Sequence, residues 1–200
     1  MRMSTVYWCK KKCCKIEIAN LNTPAYIPQR RGYTRKAGVF IFDPMTSRVL
    51  LVQSRGQLWG SPKGTIENEE NSCMCALREV KEETGISLNP VLFTKAIRIN
   101  NRATYFYAEI NSETSTVSDM VTLQKIENND VNGIGWIRLD CLEDFIKDGN
   151  IVLNQHAKIT FKKFLGKTFI NSNFIEVKRR RKKRDRNISF YEEENIPITE

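Results

Sequence analysis

The chain lacks an apolar run long enough to cross a bilayer, so no membrane-spanning helix is expected. It also lacks a secretory pattern, because Tyr7 and Trp8 are followed at once by lysines. The only histidine, His156, stands in a predicted helix, where a surface position is more typical than a catalytic one. Its 200 residues suffice for one domain with extensions, and the 40% that are hydrophobic can form one core.

The six cysteines show none of the spacings of a disulfide framework. Three lie in a lysine-rich N-terminal arm, two on one predicted helix and one on a later helix: Cys9, Cys13, Cys14, Cys73, Cys75 and Cys141. We interpret them as reduced thiols and expect an intracellular, cytoplasmic protein. A zinc site built from the first three would need a fourth ligand, and the single histidine is distant in sequence, so zinc is not predicted.

Charge is distributed unevenly along the chain. Residues 1–36 carry nine basic side chains and one acidic side chain, whereas residues 37–177 carry fifteen basic and seventeen acidic ones. Residues 178–186 read Lys-Arg-Arg-Arg-Lys-Lys-Arg-Asp-Arg. A slightly acidic core suits metal binding, and basic arms suit a long polyanion such as RNA. The alternative for residues 178–184 is a solubility tail or a nuclear-import signal.

Residues 64–86 place acids at helical spacing between two glycines. Asn71 and Ser72 are favourable cap residues and Gly85 can end a helix in a left-handed turn, so a helix is predicted over Ser72–Thr84. One face of this helix is apolar and can pack on a sheet: Ala76, Leu77 and Val80.

Three carboxylates share the other face of the predicted helix. Glu82 and Glu83 follow Glu79 by three and four residues, so the side chains converge. A hard divalent cation, Mg²⁺ or Mn²⁺, would relieve their repulsion. Arg78 is expected to pair with Glu70 and so to fix the preceding loop on the helix. The alternative, a solvated acidic helix, leaves the complete spacing unexplained.

The complete pattern resembles the box of the Nudix hydrolases, metal-dependent enzymes that cut a diphosphate linked to another group. It reads Gly64-x5-Glu70-x7-Arg78-Glu79-Val80-x-Glu82-Glu83-x-Gly85-Ile86. The resemblance implies an α/β fold, the Nudix α/β/α sandwich with a mixed sheet. It also implies a set of metal ligands: Gly64, Glu79, Glu82 and Glu83.

The remaining patterns agree with that fold. Strands are predicted at 15–18, 37–42, 49–53, 65–66, 91–99, 104–110, 121–126 and 134–137, and further helices at 139–146 and 151–165. We expect a basic extension over residues 1–35, the Nudix domain over residues 36–166, and a basic, then acidic tail over residues 167–200.

The segment before the box narrows the resemblance. It reads Leu58-Trp59-Gly60-Ser61-Pro62-Lys63-Gly64, similar to the Trp-Gly-Phe-Pro-Lys-Gly of the catalytic subunits of mRNA decapping enzymes. Residues 49–52 and 75–80 also look like theirs, and the similarity covers about residues 36–145. Ser61 departs from the usual aromatic, and the short N-terminal arm has no room for the helical regulatory domain of the cellular enzymes. The resemblance implies a stand-alone form, as in viral decapping enzymes.

Residues outside the box have two interpretations each. The ammonium of Lys63 could meet the phosphate chain, or it could be an exposed loop lysine. Trp59 could stack on a base or anchor its loop in the core, and we favour the anchor. Decapping enzymes have a glutamate six residues before a strand tryptophan, and counting back from Trp136 gives Asp130, with Glu127 as the alternative. Each of these acids could also be a plain loop residue.

The implied reaction is hydrolysis of the 5′ cap of mRNA, with Glu82, Glu83 and Asp130 as catalytic residues and Glu83 or Asp130 as the base. The last predicted helix resembles the RNA-binding helix of decapping enzymes. The expected RNA contacts lie on that helix and in the tail: Lys158, Lys162, Lys163, Lys167, Lys178, Arg179, Arg180 and Arg181. The expected partner is capped mRNA, the expected state is a monomer, and no membrane partner is expected.

Other functions remain open at this stage. A diphosphoinositol polyphosphate or dinucleoside polyphosphate hydrolase would also act on an anionic substrate, although many of these have a Gly-Gly-Gly run where this chain has Ser61-Pro62-Lys63-Gly64. A catalytically dead RNA-binding module is opposed by the intact acids. Cleansing of the nucleotide pool would leave the basic arms without a role.

Overall fold

The computed structural model describes residues 4–19, 34–54, 57–111 and 131–169. Within these ranges, nine strands form one sheet: β1 (Ser4–Trp8), β2 (Lys15–Ala19), β3 (Lys36–Asp43), β4 (Arg48–Gln53), β5 (Trp59–Gly60), β6 (Lys63–Thr65), β7 (Phe93–Ile99), β8 (Ala103–Glu109) and β9 (Gly133–Arg138). Three α-helices accompany the sheet: α1 (Ser72–Thr84), α2 (Leu139–Lys147) and α3 (Gln155–Leu165).

The sheet is mixed, and its strand order is β1-β2-β9-β4-β3-β8-β7. β5 pairs with β4, and β6 pairs with β3, so both short strands lie beside the centre of the sheet. β3 and β8 run parallel over Lys36–Phe42, whereas the other paired strands of the described chain are antiparallel. A parallel pair needs a long crossover connection, and α1 supplies it.

The central strands bury both of their faces, because helices cover the sheet on each side. Val39 and Ile41 of β3 face a cluster that includes Ala76 and Val80 of α1. Phe40, between them, faces the opposite cluster, which includes residues of α2 and α3. This alternation at a period of two residues separates the two cores. The predicted α/β/α sandwich is therefore confirmed.

Local chemistry fixes both ends of α1. The side chain of Asn71 accepts a hydrogen bond from the backbone amide of Met74 at 2.9 Å, as an N-cap residue does. Gly85 ends the helix with φ of 73° and donates its amide to the carbonyl of Lys81. The predicted helix over Ser72–Thr84 is thus observed with the same bounds.

The described chain departs from the sequence prediction at several places. The strand predicted at 91–99 begins only at Phe93, after a single 3-10 turn over Pro90–Leu92. β5 was not among the predicted strands, and the strand predicted at 65–66 is β6. The last helix begins at Gln155 with Asn154 as N-cap, because residues 151–154 instead run beside Trp59, which bridges Leu153. β1 was not predicted; it pairs with β2 over its whole length and adds a hairpin to the sheet. The strand predicted at 121–126 lies outside the described residues. Among the described helices, none combines the length and apolar character needed to cross a membrane.

Candidate active site

Arg78 holds the loop before α1 against the helix. Its Nε donates to Oε1 of Glu70 at 2.9 Å and its Nη2 to Oε2 at 3.0 Å, a two-pronged pair. Nη2 also donates to the carbonyl of Thr65 at 3.1 Å. The hydrogen bonds from Arg78 lower the pKa of Glu70 to about 2, so this carboxylate is charged at neutral pH. The expected pair is present, and it positions β6 beside α1.

The third nitrogen of the Arg78 guanidinium, Nη1, bonds to two acids on the carboxylate-bearing face of α1. Nη1 donates to Glu79 at 2.9 Å and to Glu82 at 3.0 Å. The side chain of Glu79 is 13% exposed, whereas that of Glu82 is 57% exposed. Burial raises the pKa of Glu79, and the neighbouring charges of Glu82 and Glu70 add to this rise. Glu79 therefore lies mostly buried between α1 and β6, in the site that we call the cleft, and Glu82 lies at its exposed rim.

Glu83 and Lys63 meet on the inner side of the cleft. The backbone amide of Lys63 donates to Oε2 of Glu83 at 2.9 Å. Burial raises the pKa of Glu83 to about 7, although the nearby charge of Lys63 opposes the rise. Burial has the opposite effect on the basic group of Lys63 and lowers its pKa. A carboxyl group with a pKa near neutrality can exchange a proton with a reacting group.

The arrangement suits a divalent cation. A Cβ atom at Gly64 would collide with the carboxylate of Glu79, so only glycine lets β6 approach this side chain. The partly buried acids Glu79 and Glu83 stand close enough for the charge of Glu79 to raise the pKa of Glu83. Carboxylate and carbonyl oxygens are the ligands that Mg²⁺ and Mn²⁺ prefer, and Gly64 lies directly beside the carboxylate of Glu79. The donor set present here therefore fits such an ion.

A contact between a buried tyrosine and a half-buried histidine beside the cleft was not predicted from the sequence. The hydroxyl of Tyr105, on β8, lies 3.0 Å from Nδ1 of His156, on α3. Burial lowers the pKa of His156, and the charges of Lys63 and Lys36 lower it further. Tyr105 is 1% exposed. Burial raises the pKa of its hydroxyl, and the nearby charge of Glu83 adds to this rise. His156 lies on a helix as predicted, but it is half-buried, and its contact with Tyr105 joins β8 to α3, which no local pattern predicts.

Trp59 lies in the core rather than in the cleft. Its side chain has 0% exposure, and its backbone bonds to Val152 and Asn154 join β5 to the segment before α3. The favoured interpretation of Trp59 as an anchor therefore agrees with the structure.

The lysines of α3 lie on the side of this helix away from the core. Lys162 and Lys163 are exposed and Lys158 is half-buried, whereas Phe161 is fully buried. Lys167, which is also exposed, follows the end of the helix. Two groups of candidate residues lie outside the described ranges. They are the possible bases Asp130 and Glu127, and the basic tail residues Lys178, Arg179, Arg180 and Arg181. Their roles stay predictions.

A family model of the NUDIX domain matches residues 32–155, which include the whole cleft. The chain belongs to the Nudix family. Protein 111R of Invertebrate iridescent virus 3, named as a hydrolase, is 36% identical over 146 residues, which cover 71% of this chain and 82% of that protein. Nudix hydrolases generally use divalent ions such as Mg²⁺ or Mn²⁺, in agreement with the donor set of the cleft.

Similarity to decapping enzymes is partial. The m7GpppN-mRNA hydrolase of Saccharomyces cerevisiae is 44% identical over 52 residues, which cover 26% of this chain and 5% of that protein. The mRNA-decapping enzyme subunit 2 of Arabidopsis thaliana is 29% identical over 112 residues, which cover 53% of this chain and 28% of that protein. This Nudix hydrolase thus matches only a small part of the length of both. A solved Ap4A hydrolase of C. elegans covers 65% of this chain and 95% of its own, with 23% identity and a TM-score of 0.45.

Proposed function

We propose that this Nudix hydrolase removes the 5′ cap of mRNA, releasing 7-methyl-GDP and leaving RNA with a 5′-monophosphate. The observation that carries the proposal is the cleft in which Glu79, Glu83 and Lys63 meet beside the first glycine of the box. The partial similarity to the yeast m7GpppN-mRNA hydrolase supports the choice of substrate. The proposed site of action is the cytoplasm.

The residues of the cleft divide the chemistry between them. Glu79, Glu82, Glu83 and the carbonyl of Gly64 would hold Mg²⁺ or Mn²⁺, which when bound supplies Lewis acidity toward phosphate oxygens and lowers the pKa of water. The carboxylate of Glu83 stands in this group and could accept the proton of the attacking water. Asp130 is the other candidate for that step. The ammonium of Lys63 would bind the triphosphate bridge.

The RNA body would leave the cleft along α3. His156, near the start of this helix, lies close enough to Lys63 for that charge to lower its pKa, so α3 begins beside the proposed phosphate site. From there the helix presents the exposed Lys162 and Lys163, and the exposed Lys167 follows its end. Lysines along such a path bind phosphates without reading sequence, and the basic tail would extend the same contacts.

The test compares three substrates in the presence of Mg²⁺ or Mn²⁺: cap-labelled RNA, a diphosphoinositol polyphosphate and a dinucleoside polyphosphate. We expect labelled 7-methyl-GDP from the RNA, with long capped RNA preferred over the free cap dinucleotide and the preference declining as salt rises. Equal cleavage of RNA and dinucleotide at low and moderate salt would contradict the RNA path. Preferred cleavage of either small polyphosphate would assign the protein to that substrate class instead.

A substitution separates chemistry from binding. Glu83→Gln should abolish turnover and leave the affinity for long RNA nearly unchanged, because the RNA contacts lie on α3 and the tail. Circular dichroism establishes that the variant is folded, and filter binding gives the affinity. Loss of RNA binding in the folded variant would count against this division of roles.

A further inference from the structure

The N-terminal hairpin brings three cysteines to a fourth that is distant in sequence. Cys9, Cys13 and Cys14 lie in the turn between β1 and β2, and Cys141 lies in the first turn of α2. The Sγ atom of Cys13 is 3.6 Å from that of Cys9, 3.8 Å from that of Cys14 and 3.5 Å from that of Cys141. All four sulfur atoms lie within 4.8 Å of one another.

These separations are the size of a tetrahedral thiolate site. Four sulfurs each about 2.3 Å from a zinc ion stand roughly 3.8 Å apart, from the geometry of a regular tetrahedron. The spacing Cys9-x3-Cys13 also falls within the usual range for a pair of zinc-binding cysteines. The sequence alone had left three ligands and no fourth, and the fold supplies Cys141. We propose that these four cysteines bind one structural zinc ion.

The backbone of the turn curls around the sulfur atoms. Lys12 adopts φ of 55°, and its amide donates to the carbonyl of Cys9 at 2.9 Å, so the chain curls around the sulfurs. Two backbone amides point at sulfur: that of Cys14 donates to Sγ of Cys9, and that of Arg138 donates to Sγ of Cys14, each at 3.3 Å. Amide donors of this kind stabilise thiolates. The sulfurs of the adjacent residues Cys13 and Cys14 lie 3.8 Å apart, so both could bind the same ion.

The surroundings of the cluster are buried and electrostatically matched. Cys9, Cys14 and Cys141 are at most 4% exposed, and Cys13 is partly buried. Lysines of the turn reach acids of α2: Lys11 lies 2.9 Å from Asp140, and Lys10 lies 3.8 Å from Asp144. A closed, four-coordinate site of sulfur ligands is the pattern of structural rather than catalytic zinc.

Such an ion would fasten the hairpin to the Nudix domain. Three of its ligands precede residue 32, where the match to the NUDIX domain begins, and Cys141 lies inside that match. β2 pairs with β9 through only two residue pairs, Glu17 with Ile134 and Ile18 with Gly133. A link between the turn and α2 would reinforce this short pairing. The proposal concerns the hairpin alone and does not depend on which phosphate substrate the cleft takes.

The test is metal analysis of the full chain purified under reducing conditions. We expect one zinc per chain by inductively coupled plasma mass spectrometry. Cys13→Ser and Cys141→Ser should lower the content well below one. Two variants should keep it: Cys73→Ser, which alters a half-buried cysteine outside the cluster, and Glu79→Gln, which alters the acidic cleft. The latter separates this site from zinc bound adventitiously at the catalytic acids.

Unfolding of the cysteine variants would not leave the question open, because the wild-type chain provides its own readout. Replacement of its metal by Co²⁺ should give the intense visible bands of tetrahedral cobalt and thiolate-to-cobalt charge transfer. Wild-type protein that contains no zinc and takes up no Co²⁺ in this form would overturn the proposal. Iron in place of zinc, a disulfide among the four cysteines in reduced protein, or zinc lost only from Glu79→Gln would overturn it as well.

Discussion

Replacing Gly64 by alanine tests the geometry of the cleft directly. The new Cβ would occupy the position of the Glu79 carboxylate, so this side chain must leave its place. The backbone of β6 need not move, because the obstacle is the far end of a flexible side chain. The pairing of Gly64 with Ala37 across β3 and β6 can therefore remain. The variant should fold with a displaced metal ligand.

The substitution should change metal affinity more than it changes stability. Displacing Glu79 breaks its hydrogen bond with Arg78, but the freed carboxylate regains water and escapes the charges of Glu82 and Glu70. We expect the free energy of unfolding to fall by about 1–2 kcal/mol. Loss of an outer-shell partner already weakens metal binding by roughly 10–100-fold, and a displaced ligand should weaken it more. Hydrolysis should fall at least in proportion.

Isothermal titration with Mn²⁺ gives the affinity, and urea unfolding gives the stability. Gly166→Ala is the matched control, since Gly166 has φ of 63° and a Cβ there meets nothing within 4 Å. A side chain in this conformation costs about 1 kcal/mol, so the control should lose comparable stability and keep its affinity for Mn²⁺. Wild-type affinity for Mn²⁺ in Gly64→Ala would refute the assignment of Glu79 as a ligand.

Three further substitutions have distinct expected effects. Glu70→Gln should lower the free energy of unfolding by about 2 kcal/mol, because it breaks the two-pronged pair with Arg78. Because the pKa of Glu70 in the folded protein is lowered to about 2, the stabilisation from the pair is complete above pH 4.5 and is lost as pH falls toward 2. Urea unfolding across this pH range should therefore show a smaller loss of stability with acid in the variant than in the wild type. An equal loss in both proteins would contradict the pairing. Lys63→Met should lower kcat/KM roughly 10–100-fold, because it removes a charge-assisted contact with phosphate. Lys63→Arg keeps the charge and should be less affected. Wild-type kinetics in Lys63→Met would exclude that contact. Trp59→Ala should destabilise the fold by about 3–5 kcal/mol in thermal unfolding, whereas weaker RNA binding at unchanged stability would instead indicate a base-stacking role.

Local sequence determined the centre of this protein well. Cap residues at Asn71 and Gly85, with no glycine or proline between them, fixed α1 to the residue. The three-and-four spacing of the acids placed Glu79 and Glu83 on one helical face without any tertiary information. The hairpin of β3 and β4 likewise follows from two apolar runs separated by a turn, which are contacts between near neighbours in the chain.

Short elements were harder to predict. β1 pairs only with β2 and leaves Tyr7 and Trp8 exposed, so it has no buried periodicity to reveal it. Residues 151–154 are apolar enough to continue a helix, but contact with Trp59 holds them extended. In both cases the deciding interaction lies with a partner strand, which the local pattern does not contain.

The sequence by itself predicted the Nudix helix and the spacing of its acids along one face, because these depend on residues a few turns apart. Only the tertiary structure decided how deeply each acid is buried, that Tyr105 meets His156, and that Cys13 meets Cys141 across 128 positions. The physical reason is that such contacts depend on which strands pair and which faces the helices cover. Strand pairing and helix placement depend on the packing of the whole sheet, so no single segment of the sequence determines them.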